Sequence, residues 1–205
     1  MINEIIQGDI REIAKQLETG SVNCIVTSPP YWGLRDYGVS GQIGLEPTPE
    51  EYVAGMVAIF RELRRVLRDD GTLWLNLGDS YTSMLRSGRD ESPGVGAKQE
   101  ISKVRTSLKW HAGDGSKFRW TLPGGQKPKD LVGIPWMVAF ALRSDGWYLR
   151  SEIIWSKPNV MPESVKDRPT KAHEQIFLLT KSPKYFYDAP AIAEATVCDL
   201  SLIHI

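Results

Sequence analysis

Cysteine is scarce in this sequence, and long apolar runs are missing from it. Only Cys24 and Cys198 occur among the 205 residues, and their spacing suits neither a disulfide framework nor a cysteine metal site. No apolar run approaches the length of a membrane span, and the N-terminus lacks the basic and apolar segments of a signal peptide. We therefore expect a cytoplasmic protein with no metal and no membrane partner.

Net charge is also missing, but the charges are unevenly distributed. The chain has 25 Lys or Arg and 25 Asp or Glu, whereas residues 81–129 hold ten of the basic residues and four of the acidic ones. That stretch therefore carries +6 and the rest of the chain −6. A local positive field is what a segment that binds a polyanion needs, although a solvated, partly disordered insertion explains the charge equally well.

The same part of the chain, residues 80–129, is rich in turn residues. Ser-Gly, Pro-Gly and Gly-Asp-Gly combinations recur in it, which indicates a basic, loop-rich insertion with little structure of its own. Trp110, His111 and Trp120 lie among its cations. These side chains either stack on nucleic-acid bases or anchor the loop on the protein core.

Apolar patterns in the rest of the chain predict an α/β protein of one domain. Thr48 is a predicted helix cap, followed by Pro49 at the first helical position and by Glu51, which completes a capping box. Strands that alternate with helices indicate a mostly parallel sheet covered on both faces. The predicted strands are residues 2–6, 22–26, 72–77, 148–155 and 174–180, and the predicted helices are residues 10–17, 48–67 and 135–142.

A proline pair directly follows the second predicted strand. Residues 22–26 run into Thr27, Ser28, Pro29, Pro30, Tyr31 and Trp32. Two prolines cannot continue a central ladder, so the backbone must leave the sheet there. Ligand sites of open α/β sheets lie beyond the carboxyl ends of their strands, which places this segment at the expected site.

The residue types of this segment suit the methylation of an exocyclic amine on a nucleic-acid base. The nitrogen lone pair of such an amine is delocalised into the ring, so two acceptors on its N–H groups would localise it for attack. The Ser28 hydroxyl and the Pro29 carbonyl can serve as these acceptors, since a rigid Pro-Pro turn fixes the carbonyl direction. Tyr31 offers a flat face to a base swung out of the duplex. The alternative is a plain Pro-Pro turn at a strand end.

In combination, several segments resemble the N4-cytosine/N6-adenine site-specific DNA methyltransferase family, in the permuted order that places the catalytic half first. These segments are residues 8–10, 21–32, 60–67, 71–79, 153–159, 173–174 and 184–186. The resemblance implies a Rossmann-like class I methyltransferase fold with three layers and a mostly parallel sheet. It also implies S-adenosylmethionine as cofactor and double-stranded DNA with a flipped target base as partner.

The resemblance also assigns roles to individual residues. Ser28, Pro29, Pro30 and Tyr31 would hold the target amine and its base, and Asp9 and Thr27 would contact the cofactor. For Asp9, a helix cap is the alternative role. Family members with Ser before the proline pair mostly methylate cytosine N4, so we expect that product, with adenine N6 as the alternative.

The sequence departs from the family pattern at its C-terminal end. No Phe-x-Gly-x-Gly cofactor loop follows Asp188, and residues 200–205 match what a sequencing adapter would encode. We therefore expect residues 1–199 to be the catalytic half of one methyltransferase domain, incomplete at the C-terminus and inactive alone. The alternatives are a catalytically inactive nucleic-acid-binding fragment and an enzyme that methylates a protein side-chain amide.

Two further residues have competing interpretations. A cysteine thiolate is the nucleophile in cytosine C5 methylation, but Cys24 lies in an apolar strand without a neighbouring proline. We expect Cys24 to be buried by packing. His173 is either a site residue or a polar contact at the sheet edge, and the latter interpretation is preferred.

Overall fold

The structure is a computed structural model that describes residues 3–82, 127 and 129–194. Most of the basic insertion and residues 195–205, including the predicted adapter-encoded tail, lie outside the described residues. The described helices are α1 (Ile10–Gln16), α2 (Pro49–Val66) and α3 (Ile134–Ser144), followed by a short 3-10 helix at Pro190–Ile192. The described strands are β1 (Val22–Thr27), β2 (Leu67–Leu77), β3 (Tyr148–Ser156) and β4 (His173–Thr180).

The four strands form one mixed sheet in the order β1-β2-β4-β3. β1 pairs with β2 in parallel, whereas β4 is antiparallel to both β2 and β3. The α/β class is therefore confirmed: β1, β2 and β3 run in one direction, and β4 runs against them. The connection between β3 and β4, residues 157–172, contains no helix, and the crossover of a parallel pair is usually a helix.

The first predicted strand is wrong as far as the structure describes it. Residues 3–6 belong to no strand, and Ile5 is 98% exposed. A strand requires a neighbour for its backbone hydrogen bonds, and none of the described strands lies beside this segment. The following helix is confirmed as α1, with Asp9 as its N-cap.

The helix start predicted at Thr48 and Pro49 is confirmed, but the bond from the Thr48 N–H to the Glu51 side chain that would complete the capping box is not among the hydrogen bonds of the described residues. The Thr48 hydroxyl accepts a hydrogen bond from the Glu51 backbone N–H at 3.2 Å, and Pro49 is the first helical residue. Buried side chains then recur every three or four residues along one helix face: Tyr52, Met56, Phe60 and Leu63. Each such burial contributes about 1.5–3 kcal/mol of favourable transfer free energy, so α2 is held mainly by its apolar face.

The core of the protein lies on one face of the sheet. Residues from α1, α2 and α3 join alternate residues of β2 and β4 in a single apolar cluster. Side chains alternate between the faces of a strand, so Cys24 and Val26 of β1 belong to the opposite face, and both are exposed. The expectation that Cys24 is buried was wrong, because α1, α2 and α3 pack on the other face and Cys24 lines an open cavity. The described elements thus form two layers.

Candidate active site

The backbone leaves the sheet after Thr27, at the carboxyl ends of the parallel strands β1 and β2. Because β4 runs antiparallel to β2, its first residues lie at this same edge, where Gln175 pairs with Leu77. This end of the sheet therefore brings together segments that are far apart in the sequence. Ser28 and Tyr31 come from the turn after β1, Asn76 from the end of β2 and Glu174 from the start of β4.

These four side chains form one hydrogen-bond network. The Tyr31 hydroxyl lies 2.7 Å from Asn76 Oδ1 and 2.9 Å from Glu174 Oε2. The Ser28 hydroxyl lies 3.2 Å from the Tyr31 hydroxyl and 3.2 Å from Asn76 Oδ1. The two predicted side chains thus touch each other and reach two residues to which the sequence analysis gave no role.

A charged residue at the end of β3 completes this network. The Lys157 ammonium forms an ion pair with Glu174 Oε1. Burial favours a higher pKa for Glu174, but hydrogen bonds from Lys157 and Tyr31 outweigh it and hold the pKa of this carboxyl below its ordinary value. Glu174 is therefore ionised at neutral pH. Burial, together with the neighbouring carboxylate, raises the pKa of Tyr31 to about 12, so that its hydroxyl keeps its proton.

Gly78 makes room for the Tyr31 ring. A Cβ atom at position 78 would lie 2.6 Å from Tyr31 Cδ2, and it would be closer still to Cε2. Such a contact cannot exist without a shift of the ring or the backbone. The glycine after β2 therefore fixes where Tyr31 packs, a role that sequence reasoning did not identify.

The carbonyl groups of the two prolines have different surroundings. The Pro30 carbonyl accepts a hydrogen bond of 2.9 Å from the hydroxyl of Tyr52, a fully buried residue in the first turns of α2. Burial raises the pKa of Tyr52 above its ordinary value, so this hydroxyl remains a donor. Among the hydrogen bonds of the described residues, none reaches the Pro29 carbonyl. The predicted acceptor is thus available, and its neighbour is tied to the core.

A cavity of about 340 Å³ opens at the turn, a volume within the range of pockets for small molecules. All four predicted catalytic residues contribute to its wall. The complete lining is Ser28, Pro29, Pro30, Tyr31, Leu34, Arg35, Tyr37 and Glu174.

The two predicted cofactor residues lie outside the lining of this cavity. Asp9 caps α1 by accepting from the Arg11 backbone N–H at 2.9 Å, and its carboxylate forms a salt bridge with the Arg11 guanidinium at 2.5 Å. These hydrogen bonds lower the pKa of the exposed Asp9 carboxyl to about 2. The helix-cap role of Asp9 is therefore present. Thr27 is the last residue of β1 and pairs with Leu75.

The two residues with competing interpretations lie in the sheet. The Thr72 hydroxyl donates to Cys24 Sγ at 3.5 Å on the exposed face of β1. His173 is the first residue of β4 and pairs with Ser156 of β3. It stands next to Glu174 but takes no part in the network around Tyr31.

Two classes of site are not found in the part of the chain that the structure describes. No helix there is long and apolar enough to cross a membrane. In the same residues, no group of three or more His, Cys, Asp or Glu side chains is arranged to hold a metal ion.

Known proteins resemble this chain over most of its length. A sequence model of the DNA methylase family matches residues 22–200. The Type II methyltransferase M.SmaI of Serratia marcescens is 53% identical over 191 residues, and M.Cfr9I of Citrobacter freundii is 53% identical over 190 residues. Both alignments cover 93% of this chain, but only 60% of M.SmaI and 58% of M.Cfr9I. The chain therefore spans less than two thirds of the length of these relatives.

Solved structures share the fold. The cytosine-N4-specific PvuII DNA methyltransferase superposes with a TM-score of 0.58 at 16% identity, over 90% of this chain and 51% of that one. A putative DNA modification methylase of Thermus thermophilus, solved with S-adenosyl-L-methionine, gives 0.53 at 21% identity, over 88% and 54%. These similarities confirm the Rossmann-like methyltransferase fold expected from the sequence. With the family match and the similar Type II enzymes, they show that the chain belongs to the N6/N4 DNA methylase family.

Proposed function

We propose that this chain is the base-binding, catalytic part of a site-specific Type II DNA methyltransferase that transfers a methyl group from S-adenosylmethionine to cytosine N4. The observation that carries the proposal is the pair of acceptors at the cavity, the Ser28 hydroxyl and the unoccupied Pro29 carbonyl. Adenine N6 is the alternative target, because its exocyclic amine needs the same two acceptors. Serine at position 28 favours cytosine by the family resemblance.

The chemistry follows from what two acceptors do to an amine. Hydrogen bonds from both N–H groups to Ser28 Oγ and the Pro29 carbonyl draw the nitrogen out of conjugation, so its lone pair becomes available for a direct displacement. When bound, S-adenosylmethionine supplies an electrophilic methyl group on a positively charged sulfur. The displacement breaks the methyl–sulfur bond, whose electron pair stays on the cofactor's sulfur, and the extra proton on the methylated nitrogen is released to solvent past the two acceptors. This scheme needs no covalent bond between protein and base.

The partner in this scheme is double-stranded DNA with one base turned out of the stack. A base that is stacked inside a duplex cannot enter the cavity, so the enzyme must flip it out of the helix. The Tyr31 ring, held above Gly78, offers a face for stacking, and Leu34 and Tyr37 add apolar surface to the cavity wall. Stacking on an aromatic face is worth about 1–3 kcal/mol per base.

Asp9 and Thr27 are the residues that we propose for the cofactor. The Asp9 carboxylate is ionised and exposed, which suits an acceptor of sugar hydroxyl groups. Its fit requires that the Arg11 guanidinium, now hydrogen-bonded to both carboxylate oxygens, give up one of them. Thr27 lies one residue before the catalytic turn.

The test joins this chain to the part of M.SmaI that lies beyond the matched residues, because the chain spans 60% of that relative. DNA is treated with the fused enzyme, and its nucleosides are analysed by mass spectrometry. We expect N4-methylcytosine. Pro30→Ala and Tyr31→Ala should reduce methylation far more than cofactor binding, and Ser28→Ala should slow the chemical step.

Cys24→Ser is the matched control, since Cys24 lies on the exposed face of β1 and not in the cavity. This variant should retain activity. Finding 5-methylcytosine as the product, or losing activity in a folded Cys24→Ser protein, would overturn the mechanism. N6-methyladenine as the product would select the alternative target, towards which Ser28→Asp is expected to drift.

The basic insertion is the proposed source of non-specific DNA affinity. Its excess charge of +6 predicts phosphate contacts, and binding should weaken as salt rises in proportion to the phosphates neutralised. Affinity can be measured by fluorescence anisotropy at several salt concentrations. A salt-independent affinity, or one unchanged by deletion of the segment, residues 81–129, would contradict this part of the proposal.

A further inference from the structure

A hydroxyl group that binds an amine must present a lone pair to it, so the direction of the hydroxyl proton matters. Serine has one proton to donate and two lone pairs that accept. If the Ser28 proton pointed into the cavity, it would oppose the N–H groups of the target amine instead of accepting from them. Some neighbouring group must therefore draw this proton to the other side.

The inner end of the network around Ser28 contains acceptors. The Asn76 side-chain amide donates to the Gln175 carbonyl at 3.2 Å, which leaves Asn76 Oδ1 facing the two hydroxyl groups at 2.7 Å and 3.2 Å. The Glu174 carboxylate is the second acceptor, with Oε2 at 2.9 Å from the Tyr31 hydroxyl. With the Tyr31 hydroxyl donating to Glu174 Oε2, Asn76 Oδ1 can accept from the Ser28 hydroxyl, an arrangement in which both protons point inward.

This arrangement depends on the charge of Glu174. A protonated Glu174 would donate to Tyr31 and fill one of the places that now receive hydroxyl protons. Lys157 pairs with the other carboxylate oxygen, and this contact holds the pKa of Glu174 low in spite of its partial burial. The ion pair therefore keeps Glu174 unprotonated, so that its free oxygen remains an acceptor for a hydroxyl proton.

We propose that Glu174, held by Lys157, is a positioning residue that turns the hydroxyl protons of Tyr31 and Ser28 inward and presents Ser28 to the target amine as an acceptor. The inference rests on the proposed function and deepens it. Glu174 acts through the Tyr31 hydroxyl, and the same bond fixes the Tyr31 ring in the space above Gly78. A purely structural ion pair at the sheet edge would have none of these consequences for catalysis.

The first readout is made on the chain itself. Tyrosine labelled with 13C at the ring carbon that bears the hydroxyl reports the titration of each tyrosine by NMR, and Tyr31→Phe assigns the Tyr31 signal. Glu174→Gln should lower the pKa of Tyr31 from its raised value, because the neighbouring negative charge is gone. Glu163→Gln is the matched control: its carboxylate pairs with Arg168 at 2.5 Å, outside the network, and the Tyr31 signal should not change.

The second readout is methylation by the fused enzyme. Glu174→Gln should lower kcat about tenfold or more, the loss expected for a hydrogen bond to a charged group, with the KM for DNA within about twofold of the parent value. In a Tyr31→Phe background the same substitution should have no further effect, since the hydroxyl through which it acts is missing. Glu174→Asp should restore part of the rate.

Two results would overturn the inference: Glu174→Gln as active as the parent, or the same fold loss with and without the Tyr31 hydroxyl. A fused parent enzyme that methylates no DNA would contradict the proposed function instead. In that event the Tyr31 titration decides the positioning role. An unchanged pKa in Glu174→Gln refutes that role, and a lowered pKa supports the contact on which it depends.

Discussion

The two faces of the sheet differ in how completely their apolar side chains are covered. On the face that packs against the helices, five side chains of the two central strands have no exposed surface: Leu73, Leu75, Leu77, Phe177 and Leu179. On the opposite face, Val26 is 79% exposed and Trp155 is 53% exposed. We call these the covered face and the open face. Burial of apolar area is the main source of folding free energy, so stability is concentrated on the covered face.

Two polar side chains of the candidate site, those of Asn76 and Glu174, lie on the open face of the sheet. Asn76 alternates with Leu75 and Leu77 along β2, and Glu174 pairs with Trp155 across β4 and β3, so both polar side chains point away from the core. Asn76 and Glu174 are therefore not part of the packing of the apolar core. The covered face of the sheet thus supplies the apolar packing that stabilises the fold. The open face supplies the polar groups of the candidate site, at the carboxyl ends of β1 and β2.

The largest expected effect is the loss of packing on the covered face. Leu75→Ala should lower the free energy of unfolding by about 2–5 kcal/mol, since it removes buried methyl groups and leaves a cavity. Val26→Ala, on the open face of the neighbouring strand, should change it by no more than about 0.5 kcal/mol. Urea unfolding followed by circular dichroism measures both values. Similar losses for the two variants would break the comparison of the faces.

A smaller effect is expected from a methyl group added between the sheet edge and Tyr31. Gly78→Ala should destabilise the protein by about 1–3 kcal/mol through overpacking, and it should displace the Tyr31 ring and reduce methylation. Gly55→Ala is the control, because Gly55 is an exposed position in α2 with open space around it. That variant should stabilise the protein by up to about 1 kcal/mol. If both variants change unfolding in the same direction, the assigned role of Gly78 is wrong.

The helix cap on the covered side should contribute less. Thr48→Ala removes the acceptor for the Glu51 N–H and should cost about 1 kcal/mol of stability. Thr48→Ser keeps the hydroxyl and should retain most of it. Thermal unfolding of the three proteins provides the measurement, and an alanine variant as stable as the serine variant would exclude a capping role.

The smallest expected effect concerns the pH dependence at Asp9. Its pKa is lowered from 3.8 to about 2 by the hydrogen bonds from Arg11, so the folded state binds fewer protons than the unfolded state in that window. The stabilisation is therefore present above pH 3.8 and is lost as the pH falls towards about 2. Asp9→Asn should flatten this part of the stability profile, as measured by urea unfolding at several acidic pH values. A parent and a variant with parallel profiles would refute the assignment.

Local sequence signals predicted the parts of the fold that local chemistry decides. The cap at Thr48, the apolar face of α2 and the turn at the proline pair depend on residues within a few positions of each other. The position of Ser28 and Pro29 at the cavity follows from the same local signal. Cys24 was misjudged, because an apolar strand shows that a face can be buried and does not show whether anything covers it.

The rest of the site could not be predicted because it is assembled across the sheet. Glu174 lies 143 positions from Tyr31, and Asn76 lies 45 positions away, and only the strand order places them together. The antiparallel entry of β4 brings Glu174 to the carboxyl edge of β1 and β2. A β4 parallel to β2 would have placed Glu174 at the other end of the sheet.

The hydrogen bond from Tyr52 to the Pro30 carbonyl has a consequence for heat inactivation. Tyr52 lies in the first turns of α2 and is fully buried, and the carbonyl that it holds belongs to the same proline turn as Pro29. Because Tyr52 belongs to the apolar core, this turn can come free only when the core around Tyr52 opens. If Pro29 binds the target amine as proposed, methylation activity and the circular dichroism signal should be lost over the same range of temperature.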